Sequence, residues 1–291
     1  YRDRNRIDES TDLFRSCGDQ PGIAAFYAAR AAILKGKDDA GCEADLKKAL
    51  SLDGQWRYVE LLANFYNANQ QYDKALQLTS PYVKAHPEDF IIESLHIQNL
   101  LFNKNYTEAD LLLKKIQILP HEGATDGREM YREVKLMRAV QAMERKKFGE
   151  ALRFIEESRL WPENLGVGKP YDEDIDTRLE DWMVYLCNTS LRKPGEASKM
   201  LEKIVSFQPV IDNTVRNFTP ANTLVTAWAL EKLNREKEAS AFVEEQAAKF
   251  PDYEDLKWCI AFFKNNGNYK IPESQKDANI RIIERIKASG F

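Results

Sequence analysis

The densest run of side chains able to do chemistry is acidic: Asp172, Glu173, Asp174, Asp176, Glu180 and Asp181. Two carboxylates held a fixed distance apart can serve as acid and base in glycoside cleavage. This cluster opens a helix, however, where the dipole favours negative charge and Asp or Thr caps free amides, so a capped and solvated helix start is expected. The D-x-D-x-D-G pattern of a calcium loop, with its closing glutamate, is missing. Just upstream, Gly166-Val-Gly168-Lys169 carries the residue types of a phosphate cradle. Its spacing is wrong for a P-loop, which needs a longer gap between the glycines, Ser or Thr after the Lys, and a preceding strand. His86, His96 and His121 have no cysteine at zinc spacing. Cys17, Cys42, Cys187 and Cys259 form no C-x-x-C pair, and free buried thiols are expected. No nucleophile sits beside a plausible base, so the chain reads as non-catalytic and without a cofactor or metal.

What positions these residues is a repeat. Tyr72-x-x-Ala75, Tyr106-x-x-Ala109, Phe148-x-x-Ala151, Pro194-x-x-Ala197 and Glu236-x-x-Ala239 place an alanine at spacings of 34, 42, 46 and 42 residues. A proline follows eleven or twelve positions after each alanine, at Pro87, Pro120, Pro162, Pro209 and Pro251. A period near 34 with an aromatic, a small residue and a closing proline is the mark of a helix-turn-helix array. The alanine must be small because two helices cross there, and the residue three positions earlier fills the space beside it. Residues 1–20 read as a leader, and 21–291 as one helical repeat domain. It ends in a half-repeat near Tyr253–Asn265 and a capping helix near Ser274–Ala288, since an open array needs a polar-faced terminal unit. Two insertions lengthen the period, at 121–128 and at the Gly- and Pro-rich loop 161–172, where Trp161, Asn164, Lys169 and Tyr171 are candidate binding side chains.

Leu62-Ala63-x-x-Tyr66, Tyr72-x-x-Ala75 and Pro87 together resemble the tetratricopeptide repeat. That resemblance implies an all-α, right-handed superhelical solenoid of antiparallel helix pairs with a concave groove that binds peptides. Later units match only in part, as Pro194 stands where the aromatic belongs. In a register taken from Ala75 and Ala109 the groove receives Arg57, Glu60, Asn64 and Asn67 from one unit and Ser94, Gln98 and Phe102 from the next. The family's clamp for terminal carboxylates uses Lys and Asn pairs, of which only Asn64 remains here. The segments 119–128 and 161–170 also resemble the C-terminal helical region of large bacterial proteins that carry a galactose-mutarotase-like sandwich upstream. This implies an accessory role in which the 161–172 loop is lent to a sugar site.

Composition narrows the partner. Net charge is −4, from 42 basic and 46 acidic residues interspersed along the helices, which argues against the basic face of a nucleic-acid binder. No apolar run is long enough for a transmembrane helix. Aromatic residues at 11% mark a folding chain, not a disordered one. The chain begins without methionine, which reads as a piece of something longer, and the compartment is not legible. The expected partner is a protein or peptide segment, or an upstream domain of the same polypeptide. The stripe Leu136, Met137, Val140 and Met143 is expected to be interior.

Overall fold

The computed structural model describes residues 7–17, 22–120, 125–207, 219–264 and 277–291, and among these all regular structure is helical. The expected features at His121, at Pro209 and at the start of the last helix near Ser274 lie outside the described residues. The chain divides into two compact units, Tyr1–Asn105 and Tyr106–Phe291.

The first unit holds α1 (Ile7–Ser16), α2 (Ala24–Leu34), α3 (Asp39–Leu52), α4 (Trp56–Ala68), α5 (Tyr72–Ala85) and α6 (Phe90–Phe102). The leader thus contains a helix, and α1 packs on α2 with the rings of Phe14 and Phe26 5.2 Å apart. The small-residue face of α2 buries Ala24, Tyr27 and Ala31 against α3. Asp38 caps α3 by accepting from the Gly41 amide at 2.9 Å, and Asp89 caps α6 through the amides of Ile91 and Ile92.

The second unit holds α7 (Tyr106–Leu113), α8 (Asp126–Glu144), α9 (Phe148–Ser158), α10 (Arg178–Ser190), α11 (Pro194–Ser206), α12 (Pro220–Lys232), α13 (Glu236–Lys249), α14 (Glu254–Phe263) and α15 (Ala278–Ala288). Successive helices pair as α8 with α9, α10 with α11 and α12 with α13, while α10, α12 and α14 pack side by side.

The repeated alanines do what their size demands. Ala75, Ala109, Ala151 and Ala239 are fully buried and Ala197 nearly so, and each lies three residues after the start of its helix. The turn before each of these helices is also repeated. Gln70, Lys104, Lys146, Arg192 and Asn234 all adopt left-handed backbone, with φ between 57° and 59°. The next amide in each turn reaches back five residues, as in Gln71 N to Tyr66 O at 2.8 Å and Lys147 N to Ala142 O at 2.8 Å. This is the Schellman ending of a helix, built here five times without glycine.

The sequence predicts a capping helix at this end; α15 packs along α8 and touches α12. Arg281 clasps Glu133 through two bonds of 2.7 Å, and Arg285 pairs with Glu144 at 2.7 Å. Arg132 of α8 donates to Asn279 at 2.6 Å. Ile280, Ile282, Ile283 and Ile286 are all buried. An amphipathic helix with this apolar stripe needs a partner, and α8 supplies carboxylates in register as well as Leu136, Met137, Val140 and Met143, which are buried as expected.

Candidate functional site

Three helices of the second unit turn an aromatic stripe toward a common hollow of about 620 Å³. On α10 the stripe is Trp182, Tyr185, Leu186 and Thr189, on α12 it is Trp228, Glu231 and Lys232, and on α14 it is Trp258, Ala261 and Phe262. Each set follows the three- and four-residue spacing that puts side chains on one helix face. Because α10, α12 and α14 lie side by side, the stripes become continuous. Ring centroids are 4.9 Å apart for Trp182 and Tyr185, 5.5 Å for Trp182 and Trp228, and 4.7 Å for Trp258 and Phe262. The C-terminal end of α15 completes the wall with Lys287 and Phe291. The Lys287 ammonium stands 5.5 Å from the Trp228 ring, within cation–π range.

Buried charges hold this frame. Glu180 and Asp181, each 2% exposed, are not the solvated cap the sequence implies. Glu180 receives two bonds from Arg132, at 2.6 and 2.8 Å, and Asp181 receives Arg159 and Lys203, both at 2.9 Å. Thr177 and Asp181 are spent on each other, at 3.1 Å, and Asp176 grips Arg178. Burial works against the Arg132 charge, but Glu180 outweighs it and holds the guanidinium pKa above its ordinary value. Lys169 pairs with Asp172 at the surface. Cys42, Cys187 and Cys259 are free and buried as expected, burial lifting the Cys187 thiol to about 12, whereas Cys17 is exposed. Among the described residues no group of three or more His, Cys, Asp or Glu could hold a metal ion. None of the helices among the described residues is long and apolar enough to cross a membrane.

No protein-family profile matches the sequence, and no curated protein matches it. A tetratricopeptide repeat protein from Parabacteroides merdae superposes over 90% of this chain and 94% of its own, with TM-score 0.51 and 14% identity. The fold is that of the tetratricopeptide repeat. Looser likenesses are the Naa15/Naa10 assembly bound to HypK-THB, at 16% identity, TM-score 0.47, covering 99% of this chain and 39% of that one. The type IV pilus biogenesis factor PilW is 16% identical, with TM-score 0.44 over 81% of this chain and 97% of its own.

Within this tetratricopeptide fold the candidate residues have different fates. On α4 and α6, which pack together, Arg57, Asn64 and Gln98 are exposed, while Glu60 and Ser94 are half-buried. Asn67 donates to Asn99 at 2.7 Å, and Asn99 in turn donates to Thr79 at 3.1 Å, which bonds His96. Phe102 is half-buried with its ring 4.9 Å from Tyr72. Asn67 and Phe102 are therefore engaged inside the first unit. The 161–172 loop is likewise turned inward at its start. Asn164 donates to the carbonyls of Leu113 and Ile116, at 3.0 and 2.8 Å, and the Ile118 amide returns a bond to the Asn164 carbonyl. The Arg128 guanidinium lies 4.5 Å from the Trp161 ring. Two glycines let these segments close: a Cβ on Gly127 would stand 2.7 Å from the Leu165 carbonyl, and one on Gly166, at φ 68°, would stand 2.7 Å from that of Ile118. Lys169 and Tyr171 alone of the four candidates in this loop are exposed. The hollow was not among the expected sites, although its stripe on α10 is legible as Trp182, Tyr185 and Leu186.

Proposed function

We propose that this chain is a non-catalytic interaction module that captures a segment of a protein partner in the aromatic hollow of its second unit. The observation that carries this reading is the continuous aromatic stripe on α10, α12 and α14, which lines the hollow and is half-buried at Tyr185, Trp228 and Phe262. Burying one aromatic side chain of a partner there contributes about 1.5–3 kcal/mol, enough to anchor a segment whose flanks add register. The exposed polar face of α4 and α6, with Arg57, Asn64 and Gln98, is a second surface for such a segment, as the groove register implies. A photo-crosslinking amino acid placed in turn at Tyr185, Arg57 and Tyr171 tests the assignment. Protein adducts are expected from position 185. Adducts from position 57 alone would move the site to the first unit, and adducts from none would remove the interaction reading.

A role beside an upstream sugar-handling domain is the other reading, and it rests on Lys169 and Tyr171, the latter 78% exposed at the tip of its loop. A glycan panel read by thermal shift tests it, since a ligand at a hundredfold over its dissociation constant adds about 2.7 kcal/mol.

A further inference from the structure

We propose that the hollow selects an acidic–aromatic peptide segment, in which an aromatic side chain is flanked by aspartate or glutamate. This rests on the reading of the hollow as the partner-binding site and adds the chemistry of the partner.

The floor accounts for the aromatic. Its volume of about 620 Å³ lies within the usual range for a ligand site and exceeds what one side chain fills, so a ring and its neighbouring backbone fit together. Tyr185, Trp228 and Phe262 are half-buried, so a partner ring gains contact with them without first displacing a helix.

The rim accounts for the acid. Lys232 and Lys287 stand on walls supplied by α12 and α15, and neither has a carboxylate partner among the described residues. The other cations of α15 behave differently: Arg281 is committed to Glu133 and Arg285 to Glu144. Glu231 is the one carboxylate in the lining. A chain of net charge −4 thus carries a local cationic excess around an apolar pit.

The same geometry disfavours other ligands. Most of the lining comes from the later turns of α10, α12, α14 and α15, whose carbonyl ends carry partial negative charge, so an anion here must be held by Lys232 and Lys287. That field opposes a doubly charged phosphate more than a singly charged carboxylate, and none of the lining segments offers the N-terminal amides that hold phosphate. A basic segment would meet the Lys287 ammonium already seated by Trp228.

The test uses the full chain and blocked pentapeptides with a central phenylalanine between paired aspartates, the same with central alanine, and a central phenylalanine between paired lysines. Adenosine monophosphate is the phosphate probe. Binding is followed by calorimetry and by tryptophan fluorescence, since Trp182, Trp228 and Trp258 all line the hollow. The acidic phenylalanine peptide is expected to bind roughly tenfold more tightly than either other peptide. That advantage should fall with salt and vanish in the exposed double variant Lys232→Gln/Lys287→Gln. A basic peptide or nucleotide that binds as well overturns the acidic assignment and leaves the hollow as a binding site. Failure of every probe while position 185 still crosslinks to partners overturns this inference alone. Failure of both removes the hollow itself.

Discussion

Asp110 shows how much one side chain of the second unit carries. It is fully buried on α7, 2.6 Å from the Lys135 ammonium, which is itself 1% exposed, and it is bonded by Arg138 as well. Burial pushes its carboxyl up, but the Lys135 bond and the charges of Lys135, Arg138 and Lys114 overcome this, so the pKa falls below the ordinary 3.8. A depressed pKa stabilises the fold fully above the unfolded value, and that contribution is lost as pH drops through the folded one. Asp110→Asn is expected to cost about 3–5 kcal/mol in denaturant unfolding at neutral pH, because Lys135 then keeps only Glu157. The variant should also lose part of the acid-side fall in stability below about pH 4. A flat difference between variant and parent from neutral to acid pH would contradict this. Ala151→Leu is expected to cost about 1–3 kcal/mol by overpacking a crossing with no free space. The alanines were legible because size alone decides them. The burial of Glu180 and Asp181 was not, since their partners Arg132, Arg159 and Lys203 lie 22 to 48 residues away and a local pattern of acids looks the same wet or dry.

At the level of elements, the repeated aromatic marks the first residue of α5, α7 and α9, at Tyr72, Tyr106 and Phe148, whereas the closing proline places their ends less well, as α7 stops at Leu113 well ahead of Pro120. The left-handed turns escaped notice because the sequence marks such positions with glycine, and here they are Gln, Lys, Lys, Arg and Asn. A side chain in this conformation costs about 1–2 kcal/mol, against a smaller gain in unfolded-state entropy for glycine. Lys146→Gly and Arg192→Gly are therefore each expected to raise stability by about 0.5 kcal/mol, with the same substitution at solvent-facing Lys147, outside the left-handed region, destabilising. A lowered midpoint for Lys146→Gly would argue that its side chain makes contacts worth more than the strain. The hollow divides in the same way: its stripe on α10 reads directly from spacing, but nothing local says that α12 and α14 bring theirs alongside.

For the molecule as a whole, the least legible feature was the place of α15. Its isoleucines and arginines predict an amphipathic helix, while the choice between capping α14 and packing on α8 depends on Glu133, 148 positions away. Ending the chain at Lys264 should uncover the α8 face and strand Glu133, which loses Arg281, while Arg132 keeps Glu180. Loss of cooperative unfolding in the second unit and strong binding of an apolar dye are expected, and a truncated chain with unchanged unfolding would contradict the role given to α15. The bonds between α8 and α15 also set an order of events in the cell. A ribosome making this protein releases α8 long before the residues that neutralise it, so the second unit must wait, incomplete, until its final turn has left the exit tunnel. Nascent chains stalled with α15 still inside the tunnel should therefore be held by chaperones or degraded, while those extended until α15 has emerged fold.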